Sequence, residues 1–480
     1  MSFISLTFAV FFFIFVILYH LTTKFSRFAL LSQKLVLLFG GLCFYAFADL
    51  RFLPFLFYLF MISYFAGLCC KNRGLLIFFV LADLSPLLAF KYCPSLLHVH
   101  WIFPLGLSFF TFQSIGYIAD VYKKKIESER NPLDVALFVS FFPVISSGPI
   151  QRAGIFIPQL NTLHHFDYDN ATDGMKLFAW GMFKKIVIAD RIALYVNYVY
   201  GSVSEQHGLA LLLATVLYSF QIYCDFSGYT DMATGIARYL GFDAGKNFDH
   251  PYFSKSVGEF WRRWHISLSS WLRDYVYIPL GGSRVALPRI YLNLMITFLI
   301  SGIWHGSTWN FVIWGALHGL FLCVERATKP LQEKLSIPQI LRIFITFCLV
   351  TFAWIFFRAE NMQEGCLIVK KIGNIPNEIP LFCNLVKTDG IKLALHTMFS
   401  FLSEAGGAIK GMIKVFIMLV IFFGIEIVTI KQNGIEIMKK QHFVVRWIAY
   451  VSFVLLLSKT IVVLLQTGNS YSTNFIYQNF

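Results

Sequence analysis

Apolar runs of about 17 to 25 residues, the length that crosses a hydrocarbon core of ~30 Å, recur along this chain with short polar interruptions. They fall near residues 2–21, 34–49, 52–70, 75–92, 101–119, 175–200, 208–224, 289–304, 309–325, 339–357, 411–430 and 444–465. Some are marginal in length, so the pattern predicts an all-α polytopic membrane protein with about 10–13 transmembrane and re-entrant helices. The first run, Ser2 to Leu21, has no Lys or Arg before it and no small-residue cleavage site after it. It reads as a retained first helix, because a removable signal needs a basic start and a shorter apolar core. The polar stretch from Asn361 to Gly390 is too short for a soluble domain and reads as a loop with a surface helix. The expectation is one integral membrane domain over residues 1–480.

Two stretches break the rhythm. Residues Asn131 to Leu160 carry Pro143, Pro149 and Pro158 with Gly148 and Gly154, which interrupt any helix. Broken backbone at membrane depth is stable only where protein buries it or a cavity wets it; the other reading is an interfacial loop. In Ser256 to Gly282, residues Trp261, Trp264, Leu268, Trp271 and Tyr275 recur at three- and four-residue spacing. They form one aromatic stripe on a helix whose other directions carry Glu259, Arg262, Arg263, Arg273 and Asp274. Such a helix is expected to lie in or dip into the membrane interface, with His265 at the edge of the stripe.

Composition agrees with the pattern: 57% of the 480 residues are hydrophobic, 18% aromatic and 14% charged. No soluble chain of this length needs so much apolar surface. The net charge of +14 would suit nucleic acid, but its placement does not. Lys24, Arg27 and Lys34 follow the first run, Lys71 and Arg73 the third, and Lys123, Lys124 and Lys125 the fifth, while the loops between are nearly free of cations. Alternation every second loop is the positive-inside pattern; it puts the N-terminus outside, the basic loops in the cytoplasm, and leaves no case for a nucleic-acid partner. Nine Cys, mostly within apolar runs and without a CxxC pair, read as small buried hydrophobes.

The chemistry concentrates between Phe220 and Gly319, where ionisable and amide side chains sit in strongly apolar sequence. An ionisable group in hydrocarbon is costly unless paired or wetted, which makes it a functional candidate. His265 and His305 stand in Trp-rich contexts on separate segments, and His is the usual general base near neutral pH. Gly302 and Gly306 flank Trp304 and His305, a spacing that suggests room for a substrate at the ring. Asn310, Trp314 and His318 recur at four-residue spacing and share one helix face. Each of these histidines also has a purely structural reading as a hydrogen-bonded core residue. The three do not have the tight local spacing of zinc ligands, and the pair His98-x-His100 lies in a loop, so no metal is expected. A GxSxG elbow, a Walker A loop and a GxGxxG turn are all missing, which argues against a serine enzyme and ATP-driven transport.

Five segments carry a resemblance. LGLSFFTFQSIGYIADVY, NPLDVALFVSFFPVISSGPIQR, QIYCDFSGYTDMATGIARYLGF, NFDHPYFSKSVGEFWRRWHISLSSWLRDYVYIPLGG and SGIWHGSTWNFVIWGALHG run in order over about residues 104–325. With them the chain resembles the membrane-bound O-acyltransferases, in particular the branch of alginate and peptidoglycan O-acetylation membrane proteins. The resemblance implies a helical bundle with bent and re-entrant helices around a central funnel, in a bacterial inner membrane. It implies acetyl-CoA as donor substrate, reached from the cytoplasm, with no further cofactor. His305, in the WHG motif, matches the family's catalytic histidine and His265 its second functional histidine; Trp304, Asn310 and His318 would line the same tunnel. Arg262, Arg263, Arg284 and Arg289 would meet the CoA phosphates, although positive-inside topology explains the same arginines without a ligand.

The chain ends NSYSTNFIYQNF, and residues 475–480 are similar to the FIYFxF tail of that branch, with Gln478 where the pattern has Phe. There Tyr477 would accept the acyl group and pass it outward from the 471–480 tail. The implied partners are membrane lipid, a separate periplasmic SGNH-type acetyltransferase, and a polysaccharide of the peptidoglycan or alginate type as final acceptor. Two alternatives stand beside this reading. One is a D-alanyl exporter for teichoic acid, whose family branch shares the EFWRRWHISL block. The other is a transporter or flippase, which would more often show inverted repeats between its halves.

Overall fold

The computed structural model describes residues 2–24, 27–97, 101–145, 148–399, 408–432 and 434–466. Residues His98, His100 and Tyr477, with the rest of the C-terminal tail, lie outside them. Among the described residues there is no strand. The apolar runs become helices because hydrocarbon leaves every backbone N–H and C=O to be satisfied within its own segment. Four come first: α1 (Leu6–Leu21), α2 (Ala29–Ala46), α3 (Leu53–Cys69) and α4 (Arg73–Leu97). A buried helix, α5 (Leu107–Tyr122), leads to three short ones, α6 (Pro132–Ser140), α7 (Phe142–Ile145) and α8 (Ala153–Leu160). Next, α9 (Tyr168–Met182) runs through a π-helical stretch at Phe183–Ala189 into α10 (Asp190–Tyr200), followed by α11 (Gly208–Tyr239). Two short helices, α12 (Val257–Arg263) and α13 (Ile266–Leu272), precede α14 (Leu287–His305), α15 (Trp309–Leu335) and α16 (Gln339–Arg358). The chain continues through α17 (Met362–Gly373), α18 (Ile375–Met398), α19 (Ala408–Thr429), α20 (Gly434–Lys439) and α21 (Phe443–Gln466). Among the described residues, nine helices are long and apolar enough to cross a membrane: α1 to α4, α11, α14 to α16 and α21. The protein is an all-α, multi-pass membrane protein.

The centre of the bundle is α11. The apolar pattern ends it near residue 224, yet it runs on to Tyr239, because the acidic residues that interrupt the pattern are neutralised across the α9 side. Asp225 pairs with Lys185 at 2.7 Å and Asp231 with Lys184 at 2.7 Å. Gly174 and Gly181 of α9 face Gly235 and Gly228 of α11, and a Cβ at any of the four would run into the opposing backbone. Small residues at a crossing let two membrane helices approach closely and gain dispersion contacts that lipid would otherwise supply.

Lys34 departs from its expected place in a cytoplasmic loop. It lies inside α2, is buried, and donates to Asp134 at 2.5 Å and Asn161 at 2.7 Å. A lysine brought into the bundle is stable there only with such partners. The Pro-rich stretch after Asn131 resolves in favour of burial: Phe141, Phe142, Val144, Ile145, Ile150 and Phe156 all pack in the core. Its irregular backbone is satisfied by side chains. Gln151 Nε2 donates to the carbonyls of Pro149 and Ala244, both at 2.9 Å, and Gln113 donates to the carbonyl of Phe138.

Candidate active site

The expected single amphipathic helix over Ser256 to Gly282 is two short helices broken at His265. Its aromatic stripe faces protein instead of the membrane interface, with Trp261, Trp264, Leu268 and Trp271 all buried. The break has a local cause. His265 adopts a left-handed backbone, φ 43° and ψ 56°, which costs a residue with a Cβ about 1–2 kcal/mol. Asn247 holds it there: its Oδ1 accepts from the Ser267 N–H at 3.1 Å and the Ser267 hydroxyl at 2.9 Å, and lies 3.2 Å from His265 Nδ1. The Asn247 carbonyl also accepts from the Ile266 N–H at 2.9 Å. An amide oxygen carries no hydrogen and can only accept from the imidazole, so Nδ1 carries the proton and Nε2 the lone pair.

His305 ends α14; the Gly306 N–H closes the last turn onto the Gly302 carbonyl at 3.2 Å. Its ring is buried among Trp304, Trp314 and Phe357, with centroids at 4.7, 4.9 and 5.3 Å. Trp304 joins the two histidines: its ring lies 6.3 Å from that of His265 and stacks on Phe112 of α5 at 5.1 Å. Phe226 of α11 meets the His265 ring edge-on at 4.7 Å. Side chains from α5, α11, α14, α15 and α16 thus close one aromatic cage around both imidazoles.

The expectation that Gly302 and Gly306 leave room for a substrate is corrected by the packing. A Cβ on Gly302 would collide with the Phe311 carbonyl and approach Gly315, and one on Gly306 would enter the Phe311 ring. These glycines let α14 and α15 meet, and so fix where α14 presents His305.

The other expected residues fall as follows. Trp314 and His318 share the buried face of α15 with Asn310, as the four-residue spacing requires. His318 Nδ1 accepts from the Trp261 indole N–H at 3.2 Å, which ties α15 to α12. Asn310 donates to the carbonyls of Phe356 and Ala359, at 3.1 and 2.6 Å, and so satisfies the end of α16. Arg262 is exposed, while Arg263 pairs with Glu259 at 2.7 Å. Three residues were missed by sequence reasoning. Lys91 of α4 donates to the Trp304 carbonyl and lies 5.8 Å from the centre of the Trp304 ring. Tyr92 beside it donates to the Ile303 carbonyl at 2.8 Å, so α4 caps the end of α14 in trans. The signal for Lys91 was present: a lysine at the end of an apolar run, under the same rule that singled out the histidines. Asn247 had no local signal beyond its place in NFDHP.

If Asn247 sets the His265 turn, Asn247→Ala should lower activity more than about tenfold and destabilise the fold by about 2 kcal/mol, as an abandoned buried hydrogen-bond group does. Asn247→Asp, which keeps the accepting oxygen, should recover part of both. Turnover and melting midpoint in detergent check this, and equal activity in the Ala variant and the parent would remove Asn247 from the site.

Residues 79–363 match the membrane-bound O-acyltransferase family. The chain is 37% identical to a peptidoglycan O-acetyltransferase of Helicobacter pylori over 404 residues, covering 74% of this chain and 76% of that one. It is 39% identical to a probable alginate O-acetylase of Pseudomonas aeruginosa over 356 residues, covering 69% and 68%. A teichoic acid D-alanyltransferase of Bacillus subtilis is 30% identical over 310 residues, covering 59% of this chain and 78% of that one.

Proposed function

We propose that this chain, which belongs to the membrane-bound O-acyltransferase family, takes acetyl groups from cytoplasmic acetyl-CoA and passes them across a bacterial inner membrane for O-acetylation of a cell-wall or extracellular polysaccharide. The enzyme is an O-acyltransferase; the acetyl group and the polysaccharide acceptor are the parts proposed. Both rest on relatives named for peptidoglycan and alginate acetylation, which cover more of the chain, at higher identity, than the relative named for teichoic acid. The observation that carries the site is Trp304, which places His305 and His265 in one buried cage.

In this reading the acceptor hydroxyl attacks the thioester carbonyl while the His305 imidazole takes its proton. The new C–O bond forms, the C–S bond breaks, and the CoA thiolate leaves with that proton as a free thiol. The tautomer that Asn247 imposes leaves His265 without an Nε2–H to donate to an oxyanion, so His265 serves as a positioning wall of the cage beside Trp304, and the single proton of the acceptor hydroxyl goes to His305. The packed aromatic walls exclude water, which protects the thioester from hydrolysis. Trp304, Asn310 and His318 hold the cage, and Arg262 is available to a phosphate at the cytoplasmic face. Tyr477 relays the acetyl group to a separate periplasmic SGNH-type transferase.

Tyr477→Phe removes one hydroxyl and isolates that relay. Purified protein incubated with radiolabelled acetyl-CoA should retain label, and Tyr477→Phe should retain little. Polymer acetylation in cells should fall with it; unchanged acetylation there would remove Tyr477 from the pathway.

A further inference from the structure

Away from the histidines, cations from two separate segments converge on one ring. Lys123 and Lys125, after α5, lie 5.4 and 5.8 Å from the centroid of Tyr275, and the Arg152 guanidinium lies 4.7 Å from it. Two carboxylates hold the arrangement. Asp120 accepts from the Tyr275 hydroxyl at 2.7 Å and pairs with Lys125 at 3.3 Å. Asp274 pairs with Arg152 at 3.1 Å and with Arg273 at 2.8 Å. Four cations thus face two carboxylates, and the cluster keeps an excess of positive charge. Burial and the neighbouring Lys125 both pull Lys123 below the ordinary lysine range. That crowding is what a bound polyanion relieves.

The cluster is tied to the reaction centre by a line of rings. Tyr275 meets Trp271 at 5.1 Å, Trp271 stacks on Phe112 at 4.0 Å with planes 3° apart, Phe112 meets Trp304 at 5.1 Å, and Trp304 meets His305 at 4.7 Å. The Trp271 indole donates to the Phe112 carbonyl at 2.7 Å and locks the middle of that line. Lys123 and Lys125 belong to the basic loop after Tyr122, which positive-inside patterning puts in the cytoplasm. A ligand held there by its charged end has an aromatic wall leading from that end towards His305.

We propose that Lys123, Lys125 and Arg152 around Tyr275 form the phosphate-recognition site for the nucleotide end of a coenzyme A-type thioester, an inference that rests on acetyl-CoA being the donor. The lysines act as point charges, and Arg152 offers a planar fork to a phosphate. The pantetheine arm then follows Trp271, Phe112 and Trp304 to bring the thioester to the cage. A lipid headgroup offers the same phosphate chemistry, but a leaflet anchor has no use for a ring path that leads to His305.

The test uses the full-length protein in detergent and adenosine 3′,5′-bisphosphate, the nucleotide end of coenzyme A without its thioester, with equilibrium dialysis as readout. Wild type should bind it, more weakly as salt is raised. Lys123→Gln, Lys125→Gln and Arg152→Gln should each weaken binding about fivefold, and the triple variant about a hundredfold. Lys71→Gln, which removes a charge from another basic loop, should bind as wild type, and so should Lys123→Arg with Lys125→Arg, which guards against a folding effect. A triple variant that binds like wild type overturns the proposal. So does cluster-dependent retention of phosphatidylglycerol in nanodiscs with no nucleotide binding, which would make these residues a leaflet anchor. The readout does not need turnover. Nucleotide binding without acetyl transfer would refute the proposed function and keep the site, and acetyl transfer without cluster-dependent binding would do the reverse.

Discussion

His305→Ala should purify as a folded membrane protein and lose acyl transfer by about a hundredfold or more, the low end of what a positioned acid–base group supplies. The loss follows from position. The imidazole ends α14, is buried, and is held by Trp304, Trp314 and Phe357. Truncation also empties part of an aromatic cage, with a stability cost of about 3 kcal/mol by analogy with large-to-small core changes. His305→Phe separates the two effects. It keeps a ring among the same three neighbours and should melt closer to the parent than the Ala variant, yet be as inactive. The measurement is CoA release from acetyl-CoA, taken with the melting midpoint of each variant. Near-normal turnover in either would remove His305 from the chemistry. A well-folded, inactive Phe variant would assign the loss to the imidazole alone.

The residues that carry this prediction were legible for a physical reason. An apolar run is a local pattern, so α3, α16 and α21 end within about one residue of where hydropathy puts them and α4 within about five. A polar group inside such a run is equally local, which is why His305, His318 and Asn310 stand out in the sequence itself. What stayed hidden depends on partners far along the chain. Asn247 meets His265 across 18 positions, and Lys91 meets Trp304 across 213. The left-handed turn at His265 had no glycine to announce it, because hydrogen bonds to Asn247 hold a conformation that the local sequence disfavours. The same cause hid the extent of α11. Its acidic residues look like a helix end until their lysines are known, and those lysines sit on a π-helical stretch that no periodicity reveals.

That lysine pair leads to the largest stability effect expected in this protein. Lys185 lies within 2.8 Å of Asp190 and 2.7 Å of Asp225, and all three side chains are almost fully buried. The Tyr229 ring lies 5.5 Å from the ammonium, which adds a further favourable contact. The π-helical stretch Phe183–Ala189 carries both Lys184 and Lys185 inward towards α11, where a regular α-helical turn would aim the second elsewhere. Lys185→Met removes a cation that bridges two buried carboxylates. Breaking a buried pair from one side costs about 3–5 kcal/mol, a large part of the margin by which a domain is stable. The expected result is little folded protein in detergent and a melting midpoint far below the parent. Replacing the whole set behaves differently, because charges removed together leave no uncompensated charge behind. Lys185→Met combined with Asp190→Asn and Asp225→Asn should therefore recover most of the lost stability, and the recovery measures how much of the single-variant loss was stranded charge. A single variant that melts with the parent would mean that water or the neighbouring lysine neutralises Asp190 and Asp225, and the triad would then not be what holds α11 against α9.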